Sequence, residues 1–261
     1  MTAMTSKTLF VRALTAVDAS VWSNTRGLHG ISQHLDLELD GAVGHDGMLF
    51  DFGDVKPWAK RMIDQDADHT LIVPSQADGV SVTDCPEGLC LRFTQPYAME
   101  VRGPRQAFCL LPVAEVTTVV LANHFEKLLT RRLPPRVEAL RVRLRDECIE
   151  GAAYTYSHGL RHHSGNCQRI AHGHRSKITI VENQHESLEW QQYWAERWCD
   201  IYVGSNEDLV SADKVNFGKN QTDFTEHYLF GYESSQGWFE LAIPKAETEM
   251  VVTDTSIELV A

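Results

Sequence analysis

Apolar and polar residues alternate along residues 8–17 (TLFVRALTAV) and 34–40 (HLDLELD), the period-two pattern of strands with one buried face. The polar, glycine-containing turn SNTRGLHGIS lies between them. DGMLFDFGDVKPWAKRMIDQ predicts a helix to about Gln65, capped by Asp51 or Asp54, with Pro57 in the first turn where a missing N–H costs little. Residues 76–107 read as loop-rich with short strands. Residues 113–132 have the length and period of a helix despite a β-branched start, and Pro134 and Pro135 stop it. Residues 139–147 and 151–160 are strands, and RHHSGNCQRIAHGH is a loop leading into the strand RSKITIVEN. SLEWQQYWAERW (187–198) is an amphipathic helix, residues 204–237 are polar and assign to no element, and WFELAIP is a strand. The final TDTSIELVA predicts a helix start capped by Thr253, Asp254 or Thr255, so the chain is expected to stop short of a domain's end.

This order recurs. His29-Gly30 and His172-Gly173 each precede a strand, 143 residues apart. Asp68-His69-Thr70-Leu71 and Asp200-Ile201-Tyr202-Val203 each follow the next helix, 132 residues apart, and Leu121-Ala122 and Val260-Ala261 are 139 apart. The offsets predict two degenerate copies of one strand–strand–helix–helix unit, at 1–150 and 151–261.

Of the 261 residues, 24 are Lys or Arg and 36 are Asp or Glu, a net charge of −12. That balance argues against a general nucleic-acid binder, which needs a basic face. It leaves room for a small anionic substrate, which feels local charge. No stretch has the apolar length of a transmembrane helix, and Arg12 and Asp18 spoil the N-terminus as a signal peptide, so a cytoplasmic protein is expected. The six cysteines are too sparse for a disulfide scaffold. Cys85 and Cys90 are closely spaced but lack the second pair of a structural zinc site.

Five of the twelve histidines lie between His158 and His174. His172 and His174 flank a glycine, and on an extended segment both rings share a face while the glycine leaves the opposite face open. His158, on a separate strand, can bring a third imidazole. Three imidazoles with an open position suit a catalytic zinc, although solvent-exposed loop histidines are the plainer alternative. Cys167 reads either as a small buried hydrophobe or as a reactive thiol. Arg161, Arg169, Arg175 and Lys177, with no carboxylate among them, favour a lowered thiol pKa and suit a phosphorylated substrate. Asp68-His69 is an acid/base candidate, but the dipeptide is common and Asp68 needs a turn to reach its neighbour.

Taken together, these motifs resemble the 6-pyruvoyl-tetrahydropterin synthase and 6-carboxytetrahydropterin synthase family. The residues that carry the resemblance are Tyr156-Ser157-His158, Cys167 and His172-Gly173-His174, with Gly47-Met48-Leu49-Phe50-Asp51-Phe52, Asp68-His69-Thr70-Leu71 and the strand ending Asp146-Glu147-Cys148. The resemblance implies an α+β fold of two tandem T-fold units, each an antiparallel sheet with a helix pair on one face, in a homo-oligomer with sites between units. It implies Zn2+ on His158, His172 and His174, Cys167 as general base linked with Asp68 and His69 of an adjacent unit, and Glu147 as the carboxylate that grips the pterin.

The expected reaction is that of a lyase converting 7,8-dihydroneopterin triphosphate to 6-carboxy-5,6,7,8-tetrahydropterin on the queuosine (deazapurine) route. The alternatives are 6-pyruvoyl-tetrahydropterin formation, a pterin-binding homologue without turnover, and a metal-storing protein. The first unit keeps Asp-His and the strand glutamate but has His29-Gly30-Ile31, with Asp18 near the first ligand's position. The second keeps the cysteine and the three histidines but has Asp200-Ile201. Neither is complete alone. Four residues separate Cys167 from His172, between the spacings of the two family branches.

Overall fold

A computed structural model describes residues 6–45, 47–48, 52–133, 136–217 and 224–251. The fold is mixed α+β, mostly sheet, with three α-helices among the described residues. Elements are numbered in chain order.

The first sheet is built on the long hairpin of β1 (Ser6–Ser23) and β2 (Gly27–Ala42). β3 (Leu71–Pro74) and β7 (Phe108–Leu111) extend it in parallel beyond β1, and β8 (Val137–Asp146) pairs antiparallel with β2. Two helices, α1 (Phe52–Asp66) and α2 (Thr118–Thr130), cover one face. Val55, Ala59 and Ile63 recur every fourth residue on α1, and Leu121, Ala122, Phe125 and Leu129 form the matching stripe on α2. They pack on Val17, Ala19, Leu35, Leu37 and Leu39 of the hairpin. α2 starts later than the period alone predicts, because Thr117 is extended and its hydroxyl caps the Val120 N–H at 3.2 Å. α1 starts at Phe52, so Pro57 sits inside the helix rather than in its first turn. Asp51 and Pro134-Pro135 lie outside the described residues.

The second sheet has the order β10 (His172–Lys177), β9 (Ala153–His158), β13 (Ile201–Ser205), β16 (Thr248–Val251). α3 (Leu188–Arg197) follows a short hairpin of β11 (Val181–Glu182) and β12 (His185–Glu186). The expected helix at Thr253, Asp254 or Thr255 lies outside the described residues. The third sheet mixes the two halves: β14 (His227–Ser234) and β15 (Gly237–Pro244) continue into β6 (Met99–Gly103), β5 (Gly88–Phe93) and β4 (Val80–Cys85). Residues 204–237, polar and unassignable locally, supply β14 to this sheet. A second core joins Leu91, Phe93 and Val101 to Phe230, Phe239 and Leu241, with Trp22 and Tyr202.

The first two sheets meet at matching registers. Ser20 pairs with Gly30 and Leu71, and Ser157 pairs with Gly173 and Tyr202. The two serine hydroxyls hydrogen-bond at 2.7 Å where these registers meet. A Cβ on Gly30 would press on the Tyr156 and His174 carbonyls, and one on Gly173 would lie 2.6 Å from the Ala19 carbonyl. Only glycine at both positions lets the two backbones cross this closely.

Candidate metal and acid/base site

The His-Gly-His segment lies on β10 itself rather than in the loop before it. His172 stands opposite His158, and His174 opposite Tyr156. Alternation turns His172 and His174 to one face. Nitrogen atoms of His158, His172 and His174 lie within 4.8 Å of one another, a group able to hold a metal ion. Ring centroids are 4.4 Å apart for His158 and His172, and 5.2 Å for His172 and His174. His172 is fully buried, and its Nδ1 bonds the Arg169 carbonyl at 3.2 Å. Nε2 of His172 and of His158 are buried without a hydrogen-bond partner. Burial, then the neighbouring imidazoles, pushes His158 down to about 3, and His172 is likewise driven well below 6.5. Two imidazoles with buried, unpartnered nitrogens, beside the half-buried ring of His174, are a donor set a divalent metal takes, so these residues fit one.

Asp68 and His69 approach from the other half. The chain leaves α1 in a turn, and His69 has a φ of +54°. That turn lets adjacent side chains meet, with His69 Nδ1 2.8 Å from Asp68 Oδ2. Burial lowers the imidazole's pKa, but the hydrogen bond and charge of Asp68 outweigh it, and His69 sits above its ordinary value. Its ring lies 5.2 Å from that of His172. Cys167 completes the junction: ligand atoms of His69, Cys167 and His172 also fall within 4.8 Å of one another. The segment holding Cys167 is tied to the remaining sheets by Tyr202, whose hydroxyl donates to the Ile170 carbonyl at 2.9 Å, and Tyr232, which donates to the Gln168 carbonyl at 2.8 Å.

The electrostatics of Cys167 differ from the sequence expectation. Arg161 pairs with Asp208 at 3.0 Å. Arg175 donates to the Glu147 carbonyl, and buried Arg169 donates to the carbonyls of Asp68 and His69. Burial, with Asp68 and Asp18 nearby, raises the Cys167 thiol instead of lowering it. Asp18 also departs from expectation. Val21 pairs with His29 as His158 pairs with His172, so Val21 holds the position matching the first ligand. Asp18 accepts from Ser32 and comes within 3.8 Å of His174 Nδ1. Burial opposes its ionisation, but contacts with His174 and Ser32 prevail and lower its pKa.

The second half matches Asp68-His69 one residue out of the predicted frame. The His69 N–H donates to the Asp18 carbonyl and the Asp200 N–H to that of Thr155, both at 2.7 Å, and both residues have positive φ. Asp200 thus occupies the His69 position, and Cys199 the Asp68 position. Arg169, expected as one of four local positive charges, is instead buried and holds the Asp68-His69 turn through two carbonyls, and Arg26 stands at the same distance before His29 as Arg169 before His172. Glu147 lies just beyond β8, and its N–H donates to the Ser32 carbonyl at 3.0 Å. Neither a hydrogen bond nor an ion pair joins its side chain to the histidine cluster among the described residues.

No helix among the described residues is long and apolar enough to cross a membrane. The comparison with curated proteins finds no match. Similar solved structures include 6-pyruvoyl tetrahydropterin synthase of Plasmodium falciparum, at 16% identity and a TM-score of 0.45 over 54% of this chain and 91% of that one. Another is the Plasmodium vivax enzyme, at 18% identity and a TM-score of 0.40 over 55% of this chain and 99% of that one. The family model described as 6-pyruvoyl tetrahydropterin synthase matches residues 12–157, more than half of the chain. The chain belongs to the 6-pyruvoyl tetrahydropterin synthase family.

Proposed function

We propose that the protein is a zinc-dependent lyase that converts 7,8-dihydroneopterin triphosphate to 6-carboxy-5,6,7,8-tetrahydropterin. The observation that carries this reading is the meeting of His69 and Cys167 with the imidazoles of His158, His172 and His174 within one chain. Zn2+ held by the three histidines supplies Lewis acidity toward the substrate's side-chain hydroxyls. Asp68 fixes His69 through Nδ1, which leaves Nε2 as the atom that exchanges a proton. Cys167 acts as general base in its thiolate form, its own Sγ proton passing first to neutral His69 at Nε2, and Glu147 grips the pterin's N–H edge. Arg169 braces the Asp68-His69 turn through its two carbonyls. The two halves, 1–150 and 151–261, are on this reading fused T-fold units that share a single complete set of site residues. A homo-oligomeric, cytoplasmic state and a place on the queuosine (deazapurine) route belong to the same proposal.

The test is incubation with the triphosphate and zinc, followed by product mass. The expected product is the 6-carboxy compound, with release of triphosphate and acetaldehyde. The matching family description favours a second reading, 6-pyruvoyl-tetrahydropterin, which the same mass measurement separates. Failure to consume the substrate overturns both. His172→Ala is expected to lose bound zinc, measured as metal per chain, with the fold retained by circular dichroism.

A further inference from the structure

A second group of ligand side chains meets where the helices cover the edge of the first sheet. Asp66 is the last residue of α1, Cys109 lies on β7 and His124 on α2. Their ligand atoms fall within 4.8 Å of one another, and none of the three belongs to the histidine site. We propose that Asp66, Cys109 and His124 form a second metal site, which takes Zn2+ or a similar borderline divalent ion such as Co2+.

Strand alternation aims the cysteine. Phe108 and Leu110 face the core shared with the third sheet, so Cys109 and Leu111 turn to the opposite face, beneath the helices. β7 is an edge strand of the first sheet, so a thiol that is 5% exposed still lies near the rim. Asp66 reaches it from the end of α1, with Oδ2 3.8 Å from Cys109 Sγ and 2.5 Å from His124 Nε2. The Asp66 and His124 side chains are 27% and 28% exposed, which gives an ion a path from solvent.

Thiolate, imidazole and carboxylate are all zinc ligands, whereas magnesium and calcium take oxygen. Zinc bonds of about 2.0 Å to N and O and about 2.3 Å to S set tetrahedral ligands roughly 3.3–3.5 Å apart. The Cys109–Asp66 separation is already close to that, and the Asp66 carboxyl has to swing less than about 1 Å from His124. Three protein ligands leave the fourth position to water on the exposed side. Without metal, burial and then the Asp66 charge hold the Cys109 thiol far above its ordinary value. A dication reverses that balance: the S–H bond breaks, its electron pair forms the sulfur–metal bond, and the proton leaves to solvent. The ion pins the end of α1 to β7 and α2, just before the chain turns into Asp68-His69.

The test is cobalt titration of the full chain after chelation, without oxygen. Metal per chain and the near-ultraviolet thiolate-to-cobalt charge-transfer band are the readouts. The parent is expected to bind two ions, and His172→Ala to fall to one while keeping the band. Adding Cys109→Ala to His172→Ala is expected to remove the remaining ion and the band. Adding His124→Ala instead, on a partly exposed helix position, is expected to raise the cobalt concentration needed by about tenfold or more. His172→Ala that binds no cobalt overturns the proposal and reduces Asp66-His124 to an ordinary pair over a core cysteine. Binding that survives both added substitutions overturns it as well. The inference goes beyond the lyase reading: a parent with one ion, lost with Cys109→Ala but kept in His172→Ala, supports this site and sinks the zinc-dependent lyase.

Discussion

His69 is governed by a contact rather than by its surroundings. Burial pushes its pKa down, and the Asp68 carboxylate at 2.8 Å, with a smaller contribution from the Asp18 charge, reverses the sign. Asp68→Asn is therefore expected to drop the His69 pKa below 6.5, measured by NMR titration of the ring. His158 carries the opposite linkage. Its folded value is about 3 against 6.5, so below 6.5 the unfolded chain takes up the proton first and stability falls with pH. The metal-free protein is expected to lose up to about 1.4 kcal/mol per pH unit from this one histidine below that value, read from urea midpoints. The stabilising contribution of His69 runs the other way, present below 6.5 and lost as pH rises through its raised folded value. Residue types and spacing made the three histidines and Asp68-His69 legible in the sequence. The setting of Cys167 was not, because Arg161 and Arg175 are near in sequence yet turned to Asp208 and Glu147, while Asp18 and Asp68 arrive from the other half.

At the scale of elements, the crossing of β2 and β10 sets the tolerances. Gly173→Ala would force a Cβ against backbone that cannot move aside, and it is expected to cost about 3 kcal/mol or more. Gly165→Ala, whose Cβ would meet only the His163 ring at 3.5 Å, is expected to stay within about 0.5 kcal/mol of the parent. Urea midpoints of the two variants check both values. The alternation of His172 and His174 was readable from sequence, and so was a bare face at Gly173. That the bare face receives another glycine, Gly30, was not, because pairing between distant strands leaves no local pattern. The same cause hid the one-residue shift that sets Asp200, not Ile201, at the His69 position.

For the whole molecule, the third sheet is the element least visible in the sequence. β4, β5 and β6 look like short strands in a loop-rich stretch until β15 pairs Leu241 with Val101. A fragment of residues 1–150 would expose Leu91, Phe93 and Val101, so it is expected to bind a hydrophobic dye and to fold cooperatively only when co-expressed with residues 151–261. Dye fluorescence and a urea transition test this. The short path from His69 to His172 has a further consequence. These groups belong to one polypeptide, so their local concentration is fixed by the covalent connection and not by how much protein is present. Dilution that would scatter separate subunits leaves this pair of histidines together, and the yield of assembled centres per chain should hold constant down to the lowest concentration at which the chain itself stays folded.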